Sequence, residues 1–260
     1  MQQKENKVDK KNISDPWFKL KQFTSARIGL GRSGVGIPTK NYLDFQMAHA
    51  KAKDAVLTEI NFQNIRKWLK NNKLQFIELE SSCQNRESYL TRPDFGRMLS
   101  KISNERLKSK TKIHKNNKIS ISLVVVDGLS SIAIENNILP LFENLLPELR
   151  KKYLIPPVNL VKNGRVAIGD EISYLQKTDI CIVFIGERPG LSSPDSLGIY
   201  LTYKPKIGTT DERRNCISNI RIGGLSYPLA VKKILYLLEE SLRKKISGVN
   251  LKDNIKLTLN

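Results

Sequence analysis

Apolar residues recur at helical intervals through the first part of the chain. The spacing predicts a long helix over residues 39–60, which Thr39 can cap, and a second helix over residues 62–72. Pro93 is acceptable at a helix start and is predicted to open a third helix, which ends in a lysine-rich stretch. Residues 14–111 are therefore predicted to form a mainly helical N-terminal domain.

From residue 112 onward, short apolar runs alternate with helical patterns. This alternation predicts a mainly parallel sheet with helices on both faces. The predicted strands cover residues 119–126, 158–161, 179–185 and 197–203, and the predicted helices cover residues 130–136, 141–153, a short segment from Asp170, and 226–245. The fold class is predicted to be α/β, with a helical N-terminal region followed by a Rossmann-like, mainly parallel sheet domain over residues 112–260. Residues 1–13 are polar and lysine-rich, which is typical of a flexible basic leader.

The strand predicted over residues 179–185 ends abruptly in a polar, tightly turned loop, which reads GERPG. Ligands of open α/β sheets bind in the crevice outside the carboxyl ends of the strands, so this loop is a candidate binding edge. Its Glu187 could accept hydrogen bonds from ligand amides, or it could simply pair with Arg188.

Two other loops have the same character. Residues 164–170 read GRVAIGD, in which two glycines let the backbone approach a bulky ligand, while Asp170 could instead cap the helix behind it. Residues 126–130 read VDGLS, in which Asp127 and Ser130 could cap the helix that follows.

A fourth candidate edge is the polar run RNCISN at residues 214–219. Cys216 has no histidine near it in sequence to generate a thiolate, so nucleophilic catalysis is not expected. We favour the interpretation that this small side chain touches a large cofactor.

Residues 29–34 spell G-x-G-x-x-G, the spacing that lets a backbone approach a pyrophosphate. The context is wrong for a dinucleotide site, because VGIP follows and the predicted helix begins only at Thr39. A surface loop is the favoured interpretation.

Composition narrows the class of protein. The 260 residues, 40% of them hydrophobic, can fill a core, and no apolar run approaches the ~18 residues needed to cross a bilayer. No signal peptide is recognisable, so a cytoplasmic protein that does not enter a membrane is expected. Three cysteines without a C-x-x-C pair, and two distant histidines, His49 and His114, predict neither disulfides nor a metal site.

The net charge is +19, from 44 Lys and Arg against 25 Asp and Glu, and it could attract nucleic acid, an anionic membrane or an acidic protein. The lysines are not interleaved with aromatic residues, and no helix-turn-helix, zinc-finger or RNA-binding signature accompanies them. A basic face that docks on a partner, with no nucleic acid bound, is the favoured interpretation. A basic nucleotide- or nucleic-acid-binding α/β protein remains the alternative.

Six segments together carry a family resemblance. They occur in one order between about residues 15 and 252 and read ARIGLGRSGVGIPT (26–39), RPDFGRML (92–99), VVVDGLSS (124–131), GRVAIGDEI (164–172), DICIVFIGERPGLSSPDSLGIY (179–200) and RNCISNIR (214–221). On these segments the chain resembles the small (light) subunit of ethanolamine ammonia-lyase.

The resemblance implies a chemistry and a partner. Enzymes of this family use adenosylcobalamin to convert ethanolamine to acetaldehyde and ammonia by radical chemistry. A large TIM-barrel subunit holds substrate and radical, and the Rossmann-like domain of the small subunit completes the cobalamin site at the interface, within a higher hetero-oligomer. The chain alone is therefore expected to be inactive, and the complex is expected in the cytoplasm, with a bacterial microcompartment as a further option.

The resemblance also places the cobalamin contacts of this chain at Val166, Glu187 and Cys216. It implies no catalytic residue and no metal ligand in the chain. No D-x-H-x-x-G surrounds His49 or His114, so no histidine of this chain is expected to replace the lower axial base, and base-on adenosylcobalamin follows.

Overall fold

The computed structural model describes residues 15–24, 26–111 and 118–254. The leader at residues 1–13, His114 and the domain boundary at residue 112 lie outside the described residues, and the division into two domains stays a prediction. Within the described ranges, no helix is long and apolar enough to cross a membrane.

The described part before residue 112 is mainly helical, but it also contains a strand. Its elements are α1 (Thr39–Leu57), α2 (Gln63–Asn71), β1 (Phe76–Glu80), α3 (Arg86–Thr91) and α4 (Lys101–Lys110). The helices predicted over residues 39–60 and 62–72 correspond to α1 and α2, so both are confirmed.

The helix predicted to open at Pro93 is wrong. The residues after Pro93 form a turn that includes a short 3-10 helix at Phe95–Arg97, and α4 begins only at Lys101. The start signal is Ser100, whose side chain accepts a hydrogen bond from the backbone N–H of Ser103 at 3.2 Å. A serine cap satisfies a free amide of the first helical turn, whereas a proline at that place is merely tolerated.

The described sheet has six strands in the order β1-β3-β2-β4-β5-β6. The strands after β1 are β2 (Ile121–Val126), β3 (Val158–Lys162), β4 (Ile180–Gly186), β5 (Leu197–Tyr203) and β6 (Arg214–Ile220). The strands β1, β3, β2 and β4 run parallel, while β5 and β6 are antiparallel to their neighbours. The α/β class with a Rossmann-like, mainly parallel sheet is confirmed.

The edge strands β1 and β6 are the two that the hydrophobic pattern does not predict. The sequence of β1, FIELE, places two glutamates among three apolar residues and falls in the region predicted as helical. β6 reads as a polar run because it buries only Arg214, Ile217 and Ile220. An edge strand is covered on fewer sides than a central one, so its sequence tolerates more polar residues.

Helices cover both faces of the sheet. α2, α5 (Ser131–Lys152) and α7 (Tyr227–Lys244) pack on one face, and α4 and α6 (Ile168–Gln176) pack on the other. α5 is one continuous helix where two segments are predicted, although Pro140 and Pro147 lie inside it. A proline inside a helix costs about 3 kcal/mol, but each buried leucine or isoleucine contributes about 1.5–3 kcal/mol. The helix buries a row that spans Pro140, formed by Ile134, Ile138, Leu141, Leu145 and Leu149.

The chain changes its direction of travel across the sheet at β2. It passes from β2 to β3 on one side through α5, and then returns through α6 to β4 on the other side of β2. The carboxyl ends of β2 and β4 therefore form the topological switch point, where ligands of such sheets bind. The backbones touch there: a Cβ on Gly186 would lie 2.0 Å from the carbonyl oxygen of Ser130, and one on Gly128 would lie 2.2 Å from that of Gly186.

Gly186→Ala is expected to lower the free energy of unfolding by about 3 kcal/mol. The added methyl group meets the backbone carbonyls of Ser130 and Asp127, which cannot rotate away as a side chain can. Thermal unfolding of the purified chain should show a fall in Tm of roughly 6–12 °C. Gly36→Ala is the matched control, because the nearest atom to its Cβ is the Ser33 carbonyl oxygen at 3.6 Å. Equal Tm values for the two variants would contradict the expected clash.

Candidate functional site

A cleft of about 540 Å³ lies at the carboxyl edge of the parallel strands, and we call it the edge cleft. The loop after β3 contributes Val166 to its wall, the loop after β4 contributes Glu187, and β5 contributes Tyr200. Two of the three sequence-predicted contacts, Val166 and Glu187, thus line one cavity. Cys216 is not among its lining residues, but the strand register pairs it with Tyr200, so it lies next to the wall.

Asp127, at the exit of β2, ties the loops of the edge cleft together. Its carboxylate accepts backbone N–H bonds from Gly128 (2.9 Å), Asn163 (2.9 Å) and Gly164 (3.2 Å), and it forms an ion pair with Arg86 at 3.2 Å. Both side chains of the pair are buried. Burial raises the pKa of Asp127 to about 6, against the opposing effect of Arg86 and the three N–H donors.

Asp127 therefore does not cap a helix, contrary to one of the sequence interpretations. Ser130 does: its hydroxyl accepts the N–H of Ala133 at 3.2 Å at the start of α5. Asp127 instead fixes the loop after β3, which carries Val166, relative to β2.

Arg165 and Tyr89 form another part of the wall of the edge cleft. The guanidinium of Arg165 lies 4.2 Å from the centre of the Tyr89 ring, and the guanidinium of Arg86 lies 4.7 Å from the same ring. Arg165 also donates to the backbone carbonyl of Tyr89 at 3.0 Å. Burial raises the pKa of Tyr89, so its hydroxyl stays protonated at neutral pH. These cation–π contacts fix the residue before Val166.

Glu187 follows β4 and is held by the strands beside it. Its Oε2 accepts hydrogen bonds from the hydroxyl of Ser196 (2.5 Å) and from the backbone N–H of Asn219 (3.2 Å). The described residues show no ion pair between Glu187 and Arg188, so the alternative of a simple local pair is wrong.

Cys216 is the exposed cysteine residue of the chain, since Cys83 and Cys181 are buried and all three lie in the described ranges. Partial burial of the thiol raises the pKa of Cys216 against the opposing effect of a hydrogen bond with Tyr200, and the nearby negative charge of Glu187 raises it further. The thiol is therefore protonated at neutral pH, which is consistent with a contact residue rather than a nucleophile.

Asp170 and Arg214 form a second buried ion pair, between α6 and the first residue of β6. Burial raises the pKa of Asp170 to about 6, while Arg214 opposes this effect. Asp170 lies within α6 rather than at its cap, so the capping interpretation is wrong. The pair joins the GRVAIGD and RNCISN segments, a connection that no local sequence signal reveals because 44 positions separate the two residues.

Residues 17–24 and 26–57, which we call the N-terminal arm, expose many large apolar side chains. Within α1, only Ala55 is buried. More than half of the surface of each of these arm residues is exposed: Trp17, Phe18, Phe23, Val35, Ile37, Tyr42, Leu43 and Met47. Large exposed apolar patches mark sites of protein–protein contact.

The N-terminal arm touches the rim of the edge cleft. Arg27 donates to the carbonyl of Leu191 and to the hydroxyl of Ser192, both at 3.4 Å, on the loop that begins with Glu187. The glycine motif at residues 29–34 lies in this arm between a 3-10 helix and α1, outside the strand-turn-helix context of a dinucleotide site. Among the residues that the structure describes, no group of three or more potential metal ligands occurs.

Comparison with known proteins identifies the relatives of the chain. The family profile described as ethanolamine ammonia-lyase light chain (EutC) matches residues 14–252. A curated ethanolamine ammonia-lyase small subunit of Pseudomonas aeruginosa is 45% identical over 243 residues, which cover 93% of this chain and 89% of that protein. Small subunits of Pseudomonas fluorescens (46% over 247 residues; 95% and 89%) and Pseudomonas putida (45% over 240 residues; 92% and 88%) are similar to the same extent.

A profile match over nearly the whole chain and this level of identity agree with the six segments that suggested the family. The chain therefore belongs to the ethanolamine ammonia-lyase light chain family.

Proposed function

We propose that this chain is the small subunit of an adenosylcobalamin-dependent ethanolamine ammonia-lyase, which converts ethanolamine to acetaldehyde and ammonia. In this proposal it completes the cobalamin site at the interface with a large TIM-barrel subunit, within a higher hetero-oligomer. The observation that carries the proposal is the position of Val166 and Glu187 on one cleft, with Cys216 beside it, in a member of this family.

The chemistry of the edge cleft fits cobalamin. The corrin is a wide disc rimmed by amide side chains, so it requires apolar surface and scattered acceptors rather than one strong ionic contact. Val166 offers apolar surface, and Oε1 of Glu187 has no hydrogen-bond partner within the described residues and can accept an amide N–H. The cleft is open to solvent, and in this proposal the large subunit encloses the cofactor.

When bound, adenosylcobalamin supplies the radical that initiates removal of ammonia from ethanolamine. In this proposal, the residues of this chain bind the cofactor and shield it from water. Val166 would pack on the cofactor and exclude water, Glu187 would orient it through amide hydrogen bonds, and Cys216 would contact it beside Tyr200. We assign no proton transfer to this chain. Neither of its two histidines lies in a D-x-H-x-x-G sequence, so this chain would not replace the lower axial base, which agrees with the base-on binding that the family resemblance implies.

Protection of Cys216 from alkylation tests this site. Iodoacetamide should modify Cys216 in the isolated chain, since the other two cysteines are buried, although more slowly than a free thiol because its pKa is raised. Adding the large subunit and hydroxocobalamin together should slow the reaction at Cys216 by at least about tenfold. Mass spectrometry of the modified peptide gives the rate, and Cys216→Ser controls for labelling elsewhere. An alkylation rate unaffected by the assembled cofactor complex would place the corrin away from Cys216.

We assign the N-terminal arm as a docking surface for the large subunit. Membership of a small-subunit family implies a large partner, and the arm combines exposed apolar residues with direct contact to the loop of Glu187. Burial of a few large apolar side chains supplies much of the affinity of a protein interface.

Phe23→Ser combined with Val35→Ser is expected to weaken capture of the large subunit by at least about tenfold. Both side chains are more than three quarters exposed, so the fold of the chain should be unaffected. Affinity measured by co-purification at decreasing subunit concentration checks the result. Val249→Ser, at an exposed valine outside the arm, is the control. Equal capture by all variants would rule out docking through these residues.

A further inference from the structure

We infer that Ser196 is a positioning residue that orients the Glu187 carboxylate toward the cofactor, and that Gly198 preserves the space this carboxylate occupies. The inference rests on the proposed function, in which Glu187 accepts hydrogen bonds from cobalamin amides. It assigns a role in cofactor binding to two residues that do not themselves line the edge cleft.

Ser196 holds Glu187 at two points. The backbone N–H of Glu187 donates to the carbonyl of Ser196 at 2.9 Å, and the Ser196 hydroxyl donates to Oε2 of Glu187 at 2.5 Å. Ser196 is only 6% exposed, so water competes little for its hydroxyl. The first contact fixes the start of the loop, and the second fixes the side chain. Hydrogen bonds to an ionised group are stronger than those between neutral groups.

The two oxygens of Glu187 thereby acquire different roles. The Ser196 hydroxyl and the Asn219 backbone N–H both donate to Oε2, which leaves Oε1 without a partner among the described residues. Since Glu187 lines the edge cleft, Oε1 is the oxygen left to accept a ligand N–H. A carboxylate held in this way loses little conformational freedom when a ligand binds, which favours affinity.

Gly198 lies directly beside the Glu187 side chain. A Cβ at this position would lie 2.9 Å from both Cγ and Oε1 of Glu187, closer than real Cβ atoms approach their neighbours. The pairing of β5 with β6 shifts register between Leu197 and Ile199, so Gly198 lies at a bulge. Bulges and strand glycines often occur where a side chain must be redirected beside a functional site.

The test measures retention of hydroxocobalamin by the complex of this chain with the large subunit, from the absorbance of the bound corrin after gel filtration. Ser196→Ala keeps the backbone bond and removes only the hydroxyl, so retention should fall about tenfold, the effect of one hydrogen bond to a charged group. Gly198→Ala should reduce retention by a similar or larger factor, because it displaces the carboxylate. Ser241→Ala is the matched control: Ser241 is also buried, but its hydroxyl donates to the Ile246 carbonyl just beyond the end of α7.

The same two substitutions in a Glu187→Ala background separate positioning from general stability. If Ser196 and Gly198 act through the carboxylate, neither substitution should reduce retention further once that carboxylate is absent. Glu187→Ala also removes Cγ and Oε1, and with them the clash that Gly198→Ala creates. Two results would overturn the inference while Glu187 keeps its role. Either substitution could reduce hydroxocobalamin retention as much in the Glu187→Ala background as it does alone, or Ser196→Ala could change retention no more than Ser241→Ala does. Unchanged retention in Glu187→Ala itself would instead overturn the proposed cofactor contact.

Discussion

The purified chain, supplied with adenosylcobalamin and ethanolamine, should release ammonia at least about a thousandfold more slowly than its complex with the large subunit. Its edge cleft is open to solvent, so we expect the isolated chain neither to enclose a cofactor nor to shield a radical from water. The side chains it offers there, chiefly Val166 and Glu187, are proposed to bind and orient the cofactor and have no assigned part in breaking the carbon–nitrogen bond.

Ammonia release by a coupled assay, with the large subunit titrated into a fixed amount of this chain, checks this division of labour. Activity should rise with the large subunit and saturate when the chain is fully assembled. The large subunit alone and the complex without adenosylcobalamin are the controls. Full activity of the isolated chain would refute both the shared site and the interface role of the edge cleft.

The central strands could be predicted from sequence because their burial is visible in their own consecutive residues. β2 and β4 are buried on both faces, so each reads as a continuous run of apolar, largely β-branched residues. β1 and β6 lie at the edges, where a partly polar sequence suffices, and their pairing partners are distant along the chain. The continuity of α5 through Pro140 could not be predicted from the sequence either, because it depends on packing against the sheet rather than on helix propensity.

At the candidate site, too, the sequence reveals the local features but not the contacts between distant residues. Polar loops at strand ends can be recognised in the sequence, and the family resemblance picks Val166, Glu187 and Cys216 from them. The contacts that hold these loops cannot be recognised, because Arg86 pairs with Asp127 across 41 positions and Asp170 pairs with Arg214 across 44. The sequence therefore indicates a helix cap at Asp127, although its partners are the loop after β3 and Arg86 of α3.

Arg86→Met is expected to lower the free energy of unfolding by about 3–5 kcal/mol, because it leaves the buried carboxylate of Asp127 without its counter-charge. Arg86 also donates to the carbonyls of Val56 (2.8 Å) and Gly128 (2.9 Å), so both acceptors lose a partner. Val56 belongs to α1, and Gly128 to the switch point. The substitution should therefore loosen the N-terminal arm and the edge cleft together, and urea denaturation of the purified chain measures the loss.

Arg66→Met is the matched control for this loss. The Arg66–Glu78 pair has the same 3.2 Å separation, but 40% of each side chain is exposed, and exposed pairs contribute about 0–1 kcal/mol. Combining Arg86→Met with Asp127→Asn should recover part of the lost stability, since the unpaired buried charge disappears. A loss no larger for Arg86→Met than for Arg66→Met would show that the buried pair does not hold the arm to the sheet. Partial recovery in the double variant would instead show that the ionised carboxylate of Asp127, and with it the anchor of the Val166 loop, depends on Arg86.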